Sequence, residues 1–265
     1  MTSPPLPDLV VRRRDVYGPR PEAVDGRGGL LLRFLGPAVR QALPLFRAST
    51  DRPVVALTYD DGPHPVHTSA VLDALREHGA RATFFVLAGP ARRHPDLLRR
   101  MVDEGHEVGV HGEDHTRLTT LPLHDAVRRV LRARRDVERA AGVPVQHFRP
   151  PYGAHGPAMV ALLRARGLES VIWTGEGNDW ENRTAEDISR QVLDGVFPGS
   201  VVLLHDDRAD PGLAAMPEEL PRFDRGHAAR LILDGLRADG YRSVTVAELR
   251  SGARTVRSYA AEAGR

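Results

Sequence analysis

Two adjacent carboxylates, Asp60 and Asp61, follow a short apolar run and precede Gly62-Pro63. Adjacent residues that leave a strand diverge, so one carboxylate can bind a metal ion while the other acts as a base. Held close together, the two carboxylates also interact, and a nearby cation helps to keep both ionised. The same residues form good turns, so a turn without chemistry is the alternative interpretation of this motif alone.

His111 and His115 are four positions apart. In a helical turn such positions share a face, so two imidazoles there can hold one metal ion. Asp61 would complete a set of two histidines and one carboxylate, which leaves coordination positions for water and substrate. The chain contains no Cys, so thiolate ligands, disulfides and a Cys nucleophile are excluded. Structural or solvated histidines are the alternative, and the same ligand set describes non-haem Fe(II) oxygenases.

Arg149 begins a segment that contains two prolines, Pro150 and Pro151, followed by Tyr152. Paired prolines fix the backbone twice and predict a rigid loop. Arg149 could form a charge-assisted pair with Asp60, which would lower the pKa of that base. The backbone N–H of Tyr152 could face an oxyanion. A structural turn is the alternative for this motif alone.

His205 ends the apolar run 201–204. A histidine in that position can be a general acid, and Asp179 could fix its tautomer and orientation. Trp180 is either a core residue or an apolar wall for an acyl methyl group. A buried histidine that is satisfied by its neighbours is the alternative for His205.

A scaffold must bring these residues together, and the hydrophobic pattern predicts one. Seven short runs rich in β-branched or aromatic residues are typical of buried strands. These runs are Val54–Tyr59, Ala82–Ala88, Glu107–His111, Gln146–Arg149, Ser170–Thr174, Ser200–Leu204 and Ser243–Val246. Segments with helical spacing lie between them, and most end at a glycine. The alternation predicts an α/β fold with a parallel sheet, as a closed barrel or an open sheet.

The polar residues described above all lie at or just after the carboxyl ends of predicted strands. Active sites of α/β folds collect at this edge, because the strand ends and the following loops converge there. Random polar residues would not all fall at one edge. The placement is therefore the strongest argument for a site that does not depend on any family.

Composition and chain organisation exclude some classes of protein. The 265 residues have 41% hydrophobic content and a formal net charge of +2, which is typical of a soluble globular protein and does not indicate nucleic-acid binding. We expect an N-terminal tail with an amphipathic helix over residues 1–52, a main domain over 53–250 and a C-terminal tail over 251–265. The amphipathic segment, Gly29 to Phe46, is too short and too polar to span a membrane. No signal peptide is recognisable, so a cytoplasmic location is expected, with an extracytoplasmic or membrane-surface location as the alternative.

Five motifs appear in an order that resembles the polysaccharide deacetylase family (NodB homology, carbohydrate esterase family 4). They are TYDDGP at 58–63, HGEDH at 111–115, RPPYG at 149–153, NDW at 178–180 and LLH at 203–205. The resemblance covers about residues 53–247. It implies a distorted (β/α)7 TIM-like barrel and a metal-dependent hydrolase that removes N- or O-acetyl groups from a carbohydrate.

The resemblance also implies roles for the first three motifs. Asp60 would be the catalytic base and Arg149 its partner. Asp61, His111 and His115 would hold a divalent metal, with Zn²⁺ expected first and Co, Ni, Mn or Fe as alternatives.

The remaining implied roles concern the acid and the substrate. His205 would be the general acid and Asp179 its orienting carboxylate, while the Tyr152 N–H would stabilise the oxyanion. Residues implied at the substrate are Pro150, Tyr152, Trp180 and Leu203.

Two departures and two alternatives qualify the resemblance. Tyr59 stands where Phe is usual, and Gly112 stands where a Ser or Thr would brace the metal loop. A non-catalytic carbohydrate-binding module on the same scaffold is one alternative, although intact Asp60, Arg149 and His205 argue against it. An Fe(II) oxygenase is the other. The sequence does not address the oligomeric state.

Overall fold

The computed structural model describes residues 9–13, 42–208 and 221–260 of the chain. The strands are β1 (Leu9–Arg13), β2 (Leu45–Ser49), β3 (Val54–Asp60), β4 (Thr83–Leu87), β5 (Glu107–Gly112), β6 (His147–Phe148), β7 (Glu169–Ser170), β8 (Gly175–Glu176), β9 (Val201–His205), β10 (Arg242–Ser243) and β11 (Arg254–Ala260). The helices are α1 (His67–Glu77), α2 (Ala88–Arg93), α3 (Pro95–Asp103), α4 (Leu123–Ala141), α5 (Pro157–Arg164), α6 (Ala185–Gly195), α7 (Arg225–Ala238) and α8 (Val246–Arg250).

The main sheet is parallel throughout and has the order β8-β9-β3-β4-β5-β6-β7, with β10 pairing beside the start of β3. Helices connect successive strands and pack on the outer face of the sheet, as parallel crossovers require. The curled sheet confirms the predicted α/β class and distorted (β/α)7 barrel. Among the described residues, no helix has the length and hydropathy that crossing a bilayer needs.

The barrel closes where one extended segment changes its partner strand. The N–H of Val171 donates to the carbonyl of Phe148 in β6, and three residues later Thr174 donates to Val201 in β9, both at 2.8 Å. The strand predicted over Ser170–Thr174 therefore lies largely between two short strands, β7 and β8. Pairing is interrupted there because the segment bridges two strands that do not pair with each other.

A second, three-stranded sheet has β11 at its centre, parallel to β1 and antiparallel to β2. The helix predicted from Gly29 to Phe46 is wrong at its end, where Leu45 and Phe46 belong to β2; residues 29–41 lie outside the described part. Pro44 disfavours a helix there, and pairing with β11 favours a strand. The tail predicted over residues 251–265 likewise contains β11.

Alternation along β3 sorts its side chains between two cores. Leu57 and Tyr59 belong to the core under the helices, whereas Ala56 belongs to an inner core that also contains Leu45 and Phe85. Successive side chains of a strand point to opposite faces. Asp60 therefore points to the same inner side of the sheet as Ala56. Because Asp60 ends β3, its side chain lies at the carboxyl edge of the sheet.

Candidate active site

Asp60 and Arg149 form a buried ion pair at the carboxyl edge of the sheet. Asp60 is 2% exposed and Arg149 is 0% exposed. Arg149 Nη1 donates to Asp60 Oδ1 at 2.9 Å and to the Thr58 hydroxyl at 2.7 Å. The guanidinium lies over the ring of Phe85, 4.2 Å from its centroid. The predicted pairing of Arg149 with Asp60 is present, and Thr58 strengthens it.

The pair has an unexpected electrostatic balance. Burial raises the pKa of Asp60 to about 6, even though the charge of Arg149 opposes the shift. As expected, the charge and the hydrogen bond of Arg149 lower this pKa. The net shift is nevertheless upward, because loss of hydration destabilises the carboxylate more than the neighbouring cation stabilises it. A carboxyl group with a raised pKa is a stronger proton acceptor, which suits a base.

Asp61 lies next to His111 and His115. The Asp61 Oδ1 atom is 3.5 Å from Nε2 of each histidine. One potential ligand atom from each residue lies within 4.8 Å of the others. The three side chains predicted to bind metal therefore converge on one point.

The chemistry of these three donors fits a cation. Nδ1 of His111 lies 2.8 Å from the carbonyl oxygen of Arg149. A carbonyl only accepts, so Nδ1 carries the proton and the lone pair of Nε2 faces Asp61. Burial, together with the neighbouring His115, lowers the pKa of His111 well below its ordinary value and keeps the ring neutral. A lone pair that faces a carboxylate oxygen is the arrangement that a divalent cation stabilises.

The two histidines meet through a bend and not through a helical turn. His111 belongs to β5, whereas residues 113–115 form bends. Gly112 between them has φ 119°, a conformation that side chains rarely adopt. The predicted helical turn is wrong because this glycine redirects the chain. The same geometry explains why Gly112 stands where a hydroxyl residue is usual.

His205 and Asp179 form the second half of the site. Asp179 receives the backbone N–H of His205 on Oδ2 at 2.8 Å, and its Oδ1 lies 2.7 Å from His205 Nδ1. Burial lowers the pKa of His205, but the charge and hydrogen bond of Asp179 outweigh it and raise the pKa to about 9. His205 is thus an imidazolium at neutral pH, with a proton to donate. In the sheet register it stands opposite Asp60.

The residues predicted at the substrate lie around these two halves. Tyr152 has φ 59°, and its ring stands edge-on to His115 at 4.4 Å. Trp180 stands edge-on to His205 at 5.7 Å. Pro150 is buried beside Arg149, and Leu203 is buried in the inner core. Their positions agree with a surrounding wall, and their contacts with a substrate stay predictions.

Sequence reasoning missed two polar contributors. Thr58 bonds Arg149, and its position two residues before Asp60 could have revealed it, since the two share a face. Arg225, the first residue of α7, donates to the carbonyl of His205 at 2.7 Å and lies 3.5 Å from Asp179. No pattern marks it, because its partners are distant in sequence.

A second group of potential ligands consists of His64, His67 and Asp207. Nδ1 of His64 receives the backbone N–H groups of Val66 and His67, both at 3.2 Å. The rings of His64 and His67 stack at 4.1 Å. These contacts give His64 a role in forming the turn before α1, so this group fits a metal less well than the Asp61 group.

Comparisons with known proteins agree with this geometry. The polysaccharide deacetylase family matches residues 47–171 of the chain. A chitooligosaccharide deacetylase of Sinorhizobium fredii is 40% identical over 179 residues, which cover 67% of this chain and 80% of that protein. A peptidoglycan-N-acetylglucosamine deacetylase of Bacillus cereus is 33% identical over 198 residues, covering 74% of this chain and 87% of that protein.

Solved structures give the same result. A family 4 carbohydrate esterase from Streptomyces lividans, determined in complex with acetate, superposes with a TM-score of 0.65 and 30% identity. The match covers 78% of this chain and 99% of that one. The similarity therefore extends over most of this chain and nearly all of that one.

Proposed function

The chain belongs to the polysaccharide deacetylase family, and from this premise we propose that it removes N-acetyl groups from N-acetylglucosamine residues of an oligosaccharide or polysaccharide with the help of a divalent metal ion. The chain is a sugar deacetylase in the same sense as these relatives. One observation carries the proposal most strongly. The three converging ligands have the proposed general base and the proposed general acid beside them. The base, Asp60, is held by Arg149, and the acid, His205, is held by Asp179.

Similarity supports an amide substrate over an ester. One relative is named for peptidoglycan N-acetylglucosamine and another for chitooligosaccharides. Hydrolysis of an amide needs protonation of its leaving amine, because an unprotonated amine leaves poorly. A histidine with a pKa raised to about 9 remains charged at neutral pH and supports that step.

Asp61, His111 and His115 would hold the metal, with Zn²⁺ as the first choice because two imidazoles and one carboxylate suit it. When bound, such a cation polarises an acyl carbonyl and lowers the pKa of water. Residues other than the ligands also fix the orientation of the ligand side chains. The carbonyl of Arg149 fixes the His111 tautomer, as outer residues of metal sites commonly do.

Proton transfers are assigned to the two pairs. Asp60 takes a proton from the attacking water, and Arg149 holds the carboxylate in place during that step. His205 gives its proton to the amine, while Asp179 stabilises the imidazolium and fixes its orientation. The backbone N–H of Tyr152 would donate to the developing oxyanion, and Trp180 would line the space for the acetyl methyl group.

Two other functions account for fewer of these features. An Fe(II) oxygenase could use the same three ligands, but it needs neither a second carboxylate beside them nor a protonated His205. A binding module would not need the buried Asp60–Arg149 pair, which has a cost in hydration. The named relatives are deacetylases, which favours neither alternative.

Acetate release from N-acetylglucosamine oligomers and from O-acetylated xylan tests the proposal. The protein is treated with EDTA and then supplied with Zn²⁺ or Co²⁺. We expect metal-restored release from the oligomers and little from xylan. Asp61→Asn should lose both activity and bound metal, whereas His67→Gln in the second ligand group should keep both. Metal-independent release, or oxygen consumption with iron, would contradict the proposed chemistry.

A further inference from the structure

Asp206, the residue after His205, is fully buried and bonds on both sides of Asp61. Its backbone N–H donates to the carbonyl of Asp60 at 3.2 Å. Its carboxylate Oδ1 accepts the backbone N–H of Gly62 at 3.1 Å. One residue at the end of β9 therefore fixes the peptide groups that precede and follow Asp61.

The other carboxylate oxygen reaches the turn that follows. Asp206 Oδ2 accepts the hydroxyl of Thr68 at 2.5 Å, and the same hydroxyl oxygen accepts the backbone N–H of His64 at 2.7 Å. Thr68 thus extends the contact from Asp206 to the loop between Gly62 and α1. Buried polar groups that are fully bonded in this way specify one conformation.

Asp61 needs support of this kind because its backbone has φ 79°. A residue with a side chain adopts this left-handed conformation at a cost, and it persists only where the surroundings determine it. The carbonyl of Gly62 is fixed as well, since it accepts the N–H of Leu87 at 3.0 Å. With these groups held, the carboxylate of Asp61 is presented to His111 and His115.

Gly62 shows how closely Asp206 approaches the loop. A Cβ at this position would lie 2.1 Å from Asp206 Oδ2, far inside van der Waals contact. The glycine is required here by the approach of a side chain and not by a positive φ. Gly62 and Asp206 therefore act as one matched contact.

We propose that Asp206 is a positioning residue for the metal site, holding Asp61 in its ligating conformation directly through Gly62 and indirectly through Thr68. The inference rests on the proposed metal-binding role of Asp61. The hydrogen bonds described for Asp206 go to Gly62, Thr68 and the backbone of Asp60, so we place its effect on the site through Asp61. Residues that orient metal ligands typically change metal affinity about 10–100-fold when they are replaced.

Calorimetric titration of Zn²⁺ into the metal-free full-length protein tests the proposal, with circular dichroism and melting temperature recorded for each variant. We expect Kd to rise about 10–100-fold in Asp206→Ala. Thr68→Val, which removes only the hydroxyl, should raise Kd by a smaller factor, and Thr68→Ser should restore it. Asp207→Asn is the matched control, since this neighbour is partly exposed and lies 3.9 Å from His67.

The possible outcomes separate this proposal from the function on which it rests. If Asp206→Ala does not fold, weaker binding by Thr68→Val with recovery in Thr68→Ser still supports the proposal. Folded variants with lower melting temperature and wild-type Kd for Zn²⁺ would overturn it and leave Asp206 a structural residue only. Failure of the wild type to bind Zn²⁺ would overturn the metal site itself, and this inference with it.

Discussion

The two edges of the parallel sheet use buried carboxylates in opposite ways. Asp60 at the carboxyl edge has a pKa raised to about 6. At the amino edge, Glu107 begins β5 and Glu169 begins β7, and the pKa of each is lowered below its ordinary value. All three groups are largely removed from water, so burial alone does not explain the difference. Their hydrogen-bond partners do.

Glu107 is surrounded by donors. Burial would raise its pKa, but a hydrogen bond with His147 and others from the Ala247 N–H and the Thr83 hydroxyl reverse the shift. The last two have lengths of 3.0 and 2.8 Å. These bonds connect the starts of β4, β5 and β6 to α8. Glu107 therefore holds this end of the barrel together in its ionised form.

Glu169 does the same for the second sheet. Arg257 of β11 donates to both of its oxygens, at 3.0 and 3.2 Å, and Arg164 of α5 also donates to it. Both arginines bind the carbonyl of Leu43 as well, at 3.1 and 2.9 Å. Burial would raise the pKa of Glu169, but Arg257, Arg164 and Arg250 together outweigh this effect and lower it. The network fastens β2 and β11 to the barrel.

Arg149 at the carboxyl edge is bonded less completely. Only its Nη1 donates to described residues, whereas Nε and Nη2 are buried without a hydrogen-bond partner among them. At the amino edge, by contrast, both oxygens of Glu107 and of Glu169 have hydrogen-bond partners. Fully bonded carboxylates at one edge and a raised-pKa carboxyl group at the other match the usual division of (β/α) barrels into a stabilising edge and an active-site edge. The comparison implies that substitutions at the two edges will have separable effects.

The largest expected effect is the loss of turnover in Asp60→Asn. The amide oxygen can still accept from Arg149, so the fold is kept, but the residue no longer takes a proton. We expect kcat to fall about 10²–10⁴-fold, with a melting temperature at or above that of the wild type. Acetate release at saturating substrate and metal, with thermal unfolding in parallel, measures both. Near-wild-type turnover would remove Asp60 as the base.

The residues at the carboxyl edge could largely be predicted from the sequence. Asp60, Asp61, His111 and His205 each follow a short run of mainly apolar residues, so the strand ends that carry the site could be predicted from local pattern. Parallel strand ends share an edge, which brings these residues together without knowledge of distant contacts.

Features that depend on distant partners were not predictable in this way. β2 has too few residues to show its period, and its strand conformation depends on pairing with β11, about two hundred residues later. Arg225 reaches the acid pair from the start of α7, and Asp206 bonds a loop 138 to 144 positions away. Composition and spacing contain no information about such contacts.

For Glu169→Ala we expect a smaller effect, and one on stability in place of turnover. The change leaves the buried Arg257 and the half-buried Arg164 without their shared carboxylate, and breaking a buried pair typically costs about 3–5 kcal/mol. Urea unfolding should show this loss of unfolding free energy, while kcat of the folded enzyme stays near that of the wild type. The exposed pair Glu77–Arg230 provides the control, since exposed pairs contribute little. A loss of kcat without loss of stability would contradict the division between the edges.

The smallest expected effects are opposite slopes in the pH dependence of stability, measured by urea unfolding of the metal-free protein. Glu107 has a folded pKa below its ordinary value of 4.5. Its contribution is present above that value and is lost as pH falls through the folded pKa, so Glu107→Gln should flatten the acid side of the profile. Asp60 has a folded pKa of about 6 against an ordinary 3.8. The folded state then holds its proton more tightly, and stability declines as pH rises from 3.8 to about 6.

Asp60→Asn should remove that decline and leave the acid-side slope of Glu107 intact. The two single variants and their double variant therefore resolve the two carboxylates in one titration series, because residues at opposite edges should contribute additively. If the unfolding free energies of the two single variants changed with pH in the same direction, Asp60 and Glu107 would not differ in how folding shifts their pKa values. Repeating the series with Zn²⁺ present sharpens the comparison further. A cation beside Asp60 favours its ionised form and should shift its part of the profile to lower pH, whereas the part due to Glu107 should not move.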